Sequence, residues 1–270
     1  MHAAPRAIPL PPVDINDQHP SRVHMNVIRK SLQTVALATV LIASQACASV
    51  VISATRVVFP SNEREMTIKL TNDGPGPALI QAWIDKGDAH ASPEAVDVPF
   101  TLTPAMFRME PNKGQTLRLL YANEPLPADK ESLFWLNVLE IPPKIANAER
   151  NQLQVAFRTR IKIMFRPQNL PGSAQNAPAQ VRWQVARGTG GHFVLNATNP
   201  TPYVVNLGSV QLQSSGHQYD AGAGYVLPGG TQAFPVPDLK APPAADARVR
   251  FGSINDWGAS ANHEMPVSMQ

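Results

Sequence analysis

Cysteine is almost missing from this 270-residue chain, and Cys47 is the only one. It has no partner for an intramolecular disulfide, and a four-cysteine zinc site or a CxxC redox pair is excluded with it. An excess of charge of one sign is missing too. Lys and Arg number 23 against 20 Asp and Glu, so the position of the +3 matters more than its size. Long helical stripes are absent, and 27 prolines against 16 glycines favour turns and short strands over long helices. His90, His192, His217 and His263 form no HxH or HxxxH metal pair and read as surface-loop residues. There is no GxSxG elbow and no GxxxxGK[ST] loop, and Gly222 and Gly224 lead to Leu227 where a dinucleotide fingerprint needs glycine. The expectation is therefore no enzyme, no metal site and no cofactor.

The N-terminal segment differs in character from the rest of the chain. Residues 1–24 are rich in Pro, Ala and His without apolar periodicity, and read as an upstream mis-start or a disordered tail. From Met25 come basic Arg29 and Lys30, an apolar run from Val35 to Ala43, and small residues Ala46-Cys47-Ala48, the three parts of a secretory signal over 25–48. The run is too short for stable membrane insertion. Cys47 leaves lipoprotein processing open as a second route, although Ser44 and Gln45 suit it poorly; cleavage after Ala48 is expected. That removes Arg6, Arg22, Arg29, Lys30, Asp14 and Asp17, leaving 23 − 4 = 19 basic and 20 − 2 = 18 acidic residues. A nucleic-acid partner, which needs positive charge on the folded domain, is not expected.

The remainder reads as all-β. Met66–Leu70 alternates, Asn72-Asp73-Gly74 turns, and Ala78–Ile84, Phe100–Met109, Thr116–Tyr121 and Leu133–Ile141 follow as short apolar strands. Strands of this length between Pro and Gly turns predict an antiparallel sandwich. Residues 168–180 are polar, aperiodic and carry Pro and Gly, and read as a linker between a domain at 49–167 and one at 181–270. In the second, Val181–Val185, Phe193–Thr198, Tyr203–Leu207 and Arg248–Phe251 are again β-like.

Gln152 to Arg166 is the most informative stretch. Alternation puts Leu153, Val155, Phe157, Ile161, Ile163 and Phe165 on one face, with Arg158, Arg160, Lys162 and Arg166 on the other. At ~3.3 Å per residue it would reach roughly 50 Å, well beyond the ~17–20 Å of an ordinary strand. Ile161, Ile163 and Phe165 fit their own core. Leu153, Val155 and Phe157 follow a polar loop and form an apolar edge that calls for a partner, as in strand addition. The four basic residues suit an anionic partner group or, equally, a solvated face.

Leu126–Pro143, reading LPADKESLFWLNVLEIPP, resembles the signature of the periplasmic pilus chaperones of the chaperone–usher pathway, the PapD-like family. The likeness continues through 55–60, 159–167, 199–203 and 254–258. It implies two immunoglobulin-like β-sandwich domains in a boomerang arrangement behind a cleaved signal peptide. Such a chaperone works in the periplasm, lends its long edge strand to a pilus subunit that lacks its last strand, and passes it to an outer-membrane usher. On this resemblance Leu153, Val155 and Phe157 are the donor residues, and Arg56 and Lys162 hold the subunit's C-terminal carboxylate. Glu131, Arg166 and Asp256 form a structural salt-bridge network between the domains, and Thr103-Pro104 falls where a cis peptide is frequent. The free protein is expected as a monomer or a weak self-capping dimer. The short loop from Pro143 to Gln152 and the lack of a mature cysteine pair point to the subgroup serving rod-like pili, and Arg158 and Arg160 bear on which subunit binds.

Two other classes compete with this reading. A pilus subunit or adhesin would carry a disulfide and an N-terminal donor extension, and neither is found. A carbohydrate-binding sandwich would use Trp83, Trp135, Trp183 or Trp257 as stacking platforms, but Trp83 and Trp135 lie in apolar strands and read as core.

Overall fold

The computed structural model describes residues 49–95, 97–143, 154–188 and 191–269. The readings made for 1–24, for the signal segment 25–48 with Cys47, and for Leu153 lie outside them. In the first domain the strands are β1 (Val50–Ile52), β2 (Arg56–Pro60), β3 (Glu65–Asn72), β4 (Ala78–Asp85), β5 (Phe100–Thr103), β6 (Met106–Met109), β7 (Gly114–Tyr121), β8 (Ser132–Ile141) and β9 (Phe157–Arg166). They form a sheet ordered β1-β3-β7-β5 and a facing sheet ordered β2-β9-β8-β4-β6. The single run expected over Phe100–Met109 is two strands, because the chain changes sheets between them: β5 pairs with β7 and β6 with β4. The Thr103–Pro104 bond at that crossing is cis.

Period-two alternation sends Ile80, Ala82 and Ile84 of β4, Phe134, Leu136 and Val138 of β8, and Ile161, Ile163 and Phe165 of β9 into the space between the sheets. Four phenylalanines tie this core together. Phe100 meets Phe134 edge-on at 5.0 Å, and Phe59 stacks on Phe165 at 6.0 Å. Such pairs contribute about 0.5–1.5 kcal/mol each beyond the burial of their area.

The second sandwich consists of β10 (Arg182–Arg187), β11 (Phe193–Thr198), β12 (Val205–Ser214), β13 (His217–Val226), β14 (Thr231–Val236), β15 (Arg248–Ile254), β16 (Ser260–Pro266) and β17 (Ser268–Met269). Its sheets are ordered β14-β11-β10-β17 and β13-β12-β15-β16, around a core that includes Trp183, Leu195, Val210 and Phe251. Residues 168–180 are not free chain. Leu170, Ala174 and Ala177 pack on this second core, and the Tyr203 hydroxyl donates toward the carbonyls of Leu170 and Gly172 at 3.3 and 3.2 Å. Spaced too irregularly to show a period, these small apolar groups escape a pattern reading. His263 also departs from expectation: it lies half-buried on β16, stacked on Phe251 at 4.9 Å and hydrogen-bonded to the Ser253 hydroxyl at 2.8 Å.

Candidate functional site

β9 has two partners along its second half and one along its first. β8 pairs with it from Phe157, opposite Glu140, to Phe165, opposite Ser132. β2 runs parallel on the other side only from Lys162, opposite Arg56, to Arg166, opposite Pro60. Among the described residues Phe157–Ile161 therefore keep one unpaired backbone edge, and such an edge is a template for another strand. The strand expected from Gln152 begins at Phe157 because β8 runs out into Pro142-Pro143, and proline has no N–H for the ladder. Val155 precedes it as exposed chain at 47 %. Phe157 is half-buried and stands outside the core cluster. The Gln154 amide donates to the Pro142 carbonyl at 2.8 Å, holding the approach to β9 beside the end of β8.

Arg56 and Lys162 meet where the free edge stops. As register partners in adjacent strands they lie ~4.8 Å apart at the backbone. Lys162 Nζ donates to Asn206 Oδ1 at 2.6 Å and sits 4.5 Å from the Tyr225 ring centre, both in the second domain, and 5.4 Å from that of Trp135. Arg56 Nη1 donates to the Ile254 carbonyl at 3.2 Å, and its Nε is buried without a partner. Among the described residues neither cation is in an ion pair. Burial, with the Arg56 charge adding to it, brings the Lys162 ammonium down to about 8. Burial also lowers Arg56, and Asp256 partly restores it. Two desolvated cations without a counter-ion make a site for an anion.

Glu131, Arg166 and Asp256 come together next to it. Arg166 Nε donates to Glu131, and its Nη1 and Nη2 donate to the two Asp256 oxygens at 2.7 and 3.0 Å. The second Glu131 oxygen accepts the Val204 backbone N–H at 2.6 Å, so the network joins the two sandwiches. Burial pushes the Glu131 carboxyl above its usual range against the pull of Arg166. Burial works against the Arg166 charge, but hydrogen bonds to Asp256 and the field of Glu131 outweigh it and leave Arg166 above its ordinary value. The turn after β15 closes tightly here. Gly258 has φ +87°, and a Cβ on it would meet Thr55 Oγ1 of the first domain at 2.9 Å.

Arg158 and Arg160, read as open charges, are occupied. Arg160 Nη2 bonds both oxygens of Asp85 at 2.7 and 2.8 Å, and the Asp85 side chain is fully buried. Arg158 donates to Asn137 Oδ1 at 2.9 and 2.6 Å and to the Ala89 carbonyl at 2.6 Å. Their guanidinium groups lie over Trp83 at 4.8 Å and Trp135 at 4.7 Å. Both tryptophans thus stand on the outer face of the sheet rather than in the sandwich core, Trp83 buried under Arg158. The 85 % exposed Trp257 is at the tip of the β15–β16 turn. Sequence reasoning missed Asp85, Asn137, Asn206 and Tyr225. The signal for Asp85 is a carboxylate closing the apolar run Ala78–Ile84.

The two sandwich domains carry an open half-edge and a cation pair, and comparison with known proteins gives the class. Residues 49–171 match the pili and flagellar-assembly chaperone PapD N-terminal domain, and 176–265 match the pili assembly chaperone PapD C-terminal domain. The chain belongs to the PapD family of periplasmic pilus-assembly chaperones. It is 42 % identical over 222 residues to the probable fimbrial chaperone YadV of Escherichia coli, covering 80 % of this chain and 89 % of that one. It is 38 % identical over 248 residues to the chaperone protein FimB/FhaD of Bordetella pertussis, covering 89 % and 98 %. The crystal structure of the Pseudomonas aeruginosa CupB2 chaperone is similar at 39 % identity and TM-score 0.66, over 81 % of this chain and all (100 %) of that one. The Salmonella enterica SafB chaperone, solved in complex with the SafA pilin, gives TM-score 0.66 at 26 % identity, over 82 % and 97 %. The family is one of chaperones, not enzymes. Among the described residues no helix is long and apolar enough to cross a membrane, and no group of three acidic, His or Cys side chains is placed to hold a metal.

Proposed function

We propose that this chaperone captures a pilus subunit by adding the edge of β9 to it, with the subunit's C-terminal carboxylate held by Arg56 and Lys162. The observation that carries this is where the free edge ends. A strand lying along Phe157–Ile161 meets the first residue of β2 head-on, beside the two cations that have no counter-ion. A chain with its carboxyl end at that point runs parallel to β9, in line with β2. Its backbone gains the ladder hydrogen bonds that β9 leaves open, and Val155 and Phe157, with Leu153 before them, reach into its apolar groove. Charge-assisted bonds to the carboxylate fix the register as well as adding energy. Glu131, Arg166 and Asp256 hold the two sandwiches so that Asn206 and Tyr225 steady the Lys162 head group. Export through a cleaved signal over 25–48 and transfer to an outer-membrane usher complete the reading, with a monomer or a weak self-capping dimer as the resting form.

Glutamate at Phe157 places a charge in the apolar contact and leaves the core residues Ile161, Ile163 and Phe165 untouched. The expected outcome is a protein with unchanged melting temperature that no longer co-purifies with co-expressed pilus subunits. Undiminished capture by both Phe157→Glu and Val155→Glu would sink the donor-edge assignment.

A further inference from the structure

The free edge creates a difficulty for a carboxylate anchored at its end. A strand that slips by two residues along β9 keeps every side chain on its original face, so apolar alternation does not oppose the slip. Two residues are ~6.6 Å. That distance separates Lys162 from Arg160, which stands on the same face and shares the Trp135 ring with it, at 5.4 and 4.7 Å from the ring centre. A carboxylate displaced by one such step would find a guanidinium in place of an ammonium, and guanidinium binds carboxylate at least as well.

We propose that Asp85 sets the register of the captured strand by holding Arg160 in an internal ion pair, so that the carboxylate is stable at Lys162 and not two residues away. This rests on the proposed anchoring of the subunit by Arg56 and Lys162. Asp85 is built for such a role. Its fully buried carboxylate takes Arg160 on both oxygens, the Asn137 amide at 2.7 Å and the Gly87 backbone N–H at 2.6 Å, so it is saturated and cannot swing away. Asn137 in turn takes Arg158, and Arg158 reaches the Ala89 carbonyl, which ties the segment after β4 down beside the free edge. Arg160 nonetheless keeps donor capacity toward solvent: its side chain is 20 % exposed, and of its nitrogens Asp85 takes Nη2. A second carboxylate at Arg160 would sit against the negative charge of Asp85, which lies 3.8 Å from Arg158 as well as bonding Arg160. At Lys162, by contrast, it meets two cations that are in no ion pair among the described residues, the nearby Asp256 being taken by Arg166. Asp85 touches no subunit in this scheme. It is a positioning residue that acts through Arg160.

The probe is a ten-residue peptide of alternating Val and Thr with a free C-terminal carboxylate and one photoreactive residue, compared with its amidated form. Lys162→Ala is expected to weaken binding of the acid peptide about 100-fold, to the level of the amide. Adding Asp85→Asn to Lys162→Ala is expected to restore at least tenfold, with the crosslink moved two residues along β9 toward Phe157. Adding Arg160→Gln as well removes the recovery. Circular dichroism shows whether each variant is folded; if Asp85→Asn is not, Asp85→Asn with Arg158→Gln keeps the local charge and takes its place. Recovery below twofold in a folded variant, or recovery with an unmoved crosslink, overturns the register role of Asp85 and leaves the anchor standing. Full binding by Lys162→Ala alone refutes the anchor, and the register proposal with it.

Discussion

Methionine at Lys162 is expected to raise the stability of the free chaperone while destroying its capture of subunits. The ammonium is half-buried beside Arg56 with no carboxylate, and burial with that neighbouring charge brings it to about 8. Compared with an unfolded lysine near 10.4, keeping the proton at neutral pH costs the folded state free energy. Discounted for partial exposure and for the bond lost at Asn206, removal should add roughly 1–2 kcal/mol, about 2–8 °C in melting temperature for a chain of this size. Methionine keeps the packing of the stem on Trp135 and Tyr225. Losing one cation from a desolvated carboxylate site costs about 2–5 kcal/mol of binding, roughly 30-fold to several thousand-fold. The two consequences have opposite signatures in pH. Between about 8 and the unfolded lysine value the unfolded chain holds more protons, so stability rises with pH in the native protein, and the Met variant loses that rise. A bound carboxylate raises the Lys162 value, so capture is strongest below about 8 and declines as pH climbs through it. Thermal melts and subunit titrations between pH 7 and 10 test both; a Met variant that melts lower, or capture that improves above pH 8, contradicts these roles for Lys162.

How much of the fold and of the site is legible in the sequence depends on whether an interaction is local. Alternation within a strand is local, so the strands of both sandwiches and the inward faces of β4, β8 and β9 can be read from it. The register of β2 against β9 is not local. Parity places Lys162 on the outer face, but nothing in the residues from Arg56 to Pro60 shows that they run parallel to β9 and stop at Lys162, and that stop creates the half-open edge. The charges on β9 show the same limit. Four basic residues in Arg158–Arg166 read as one positive strip, yet Asp85 neutralises Arg160 from 75 positions away, and Glu131 and Asp256 take Arg166. Of that strip Lys162 alone is in no ion pair among the described residues, and it stands beside Arg56 at the end of the edge. Apolar neighbours in sequence make Trp83 and Trp135 look like core; in the fold they cover the outer face, where guanidinium groups lie over their rings.

Methionine at Arg166 is expected to be the most destabilising single change in the interdomain region. It leaves Glu131, whose side chain is fully buried, with the Val204 N–H alone, and frees Asp256 of its two bonds. Breaking a buried pair on one side costs about 3–5 kcal/mol, since the remaining charge is neither solvated nor matched, and corresponds to roughly 6–20 °C here. The loss should depend on pH in a particular direction. Burial already holds the Glu131 carboxyl above its ordinary range, and without Arg166 it moves further up. A carboxyl whose folded value exceeds its unfolded one makes the folded state the better proton binder, so the variant gains stability as pH falls toward the unfolded value near 4.3. Combining Arg166→Met with Glu131→Gln and Asp256→Asn removes every unmatched charge and should recover more than half of the loss. Melting curves at pH 5 and 8 decide it. A single variant that loses as much at pH 5 as at pH 8, with no recovery in the triple variant, would mean that Arg166 acts by packing on Tyr203, 5.4 Å from that ring centre, rather than through its two carboxylates.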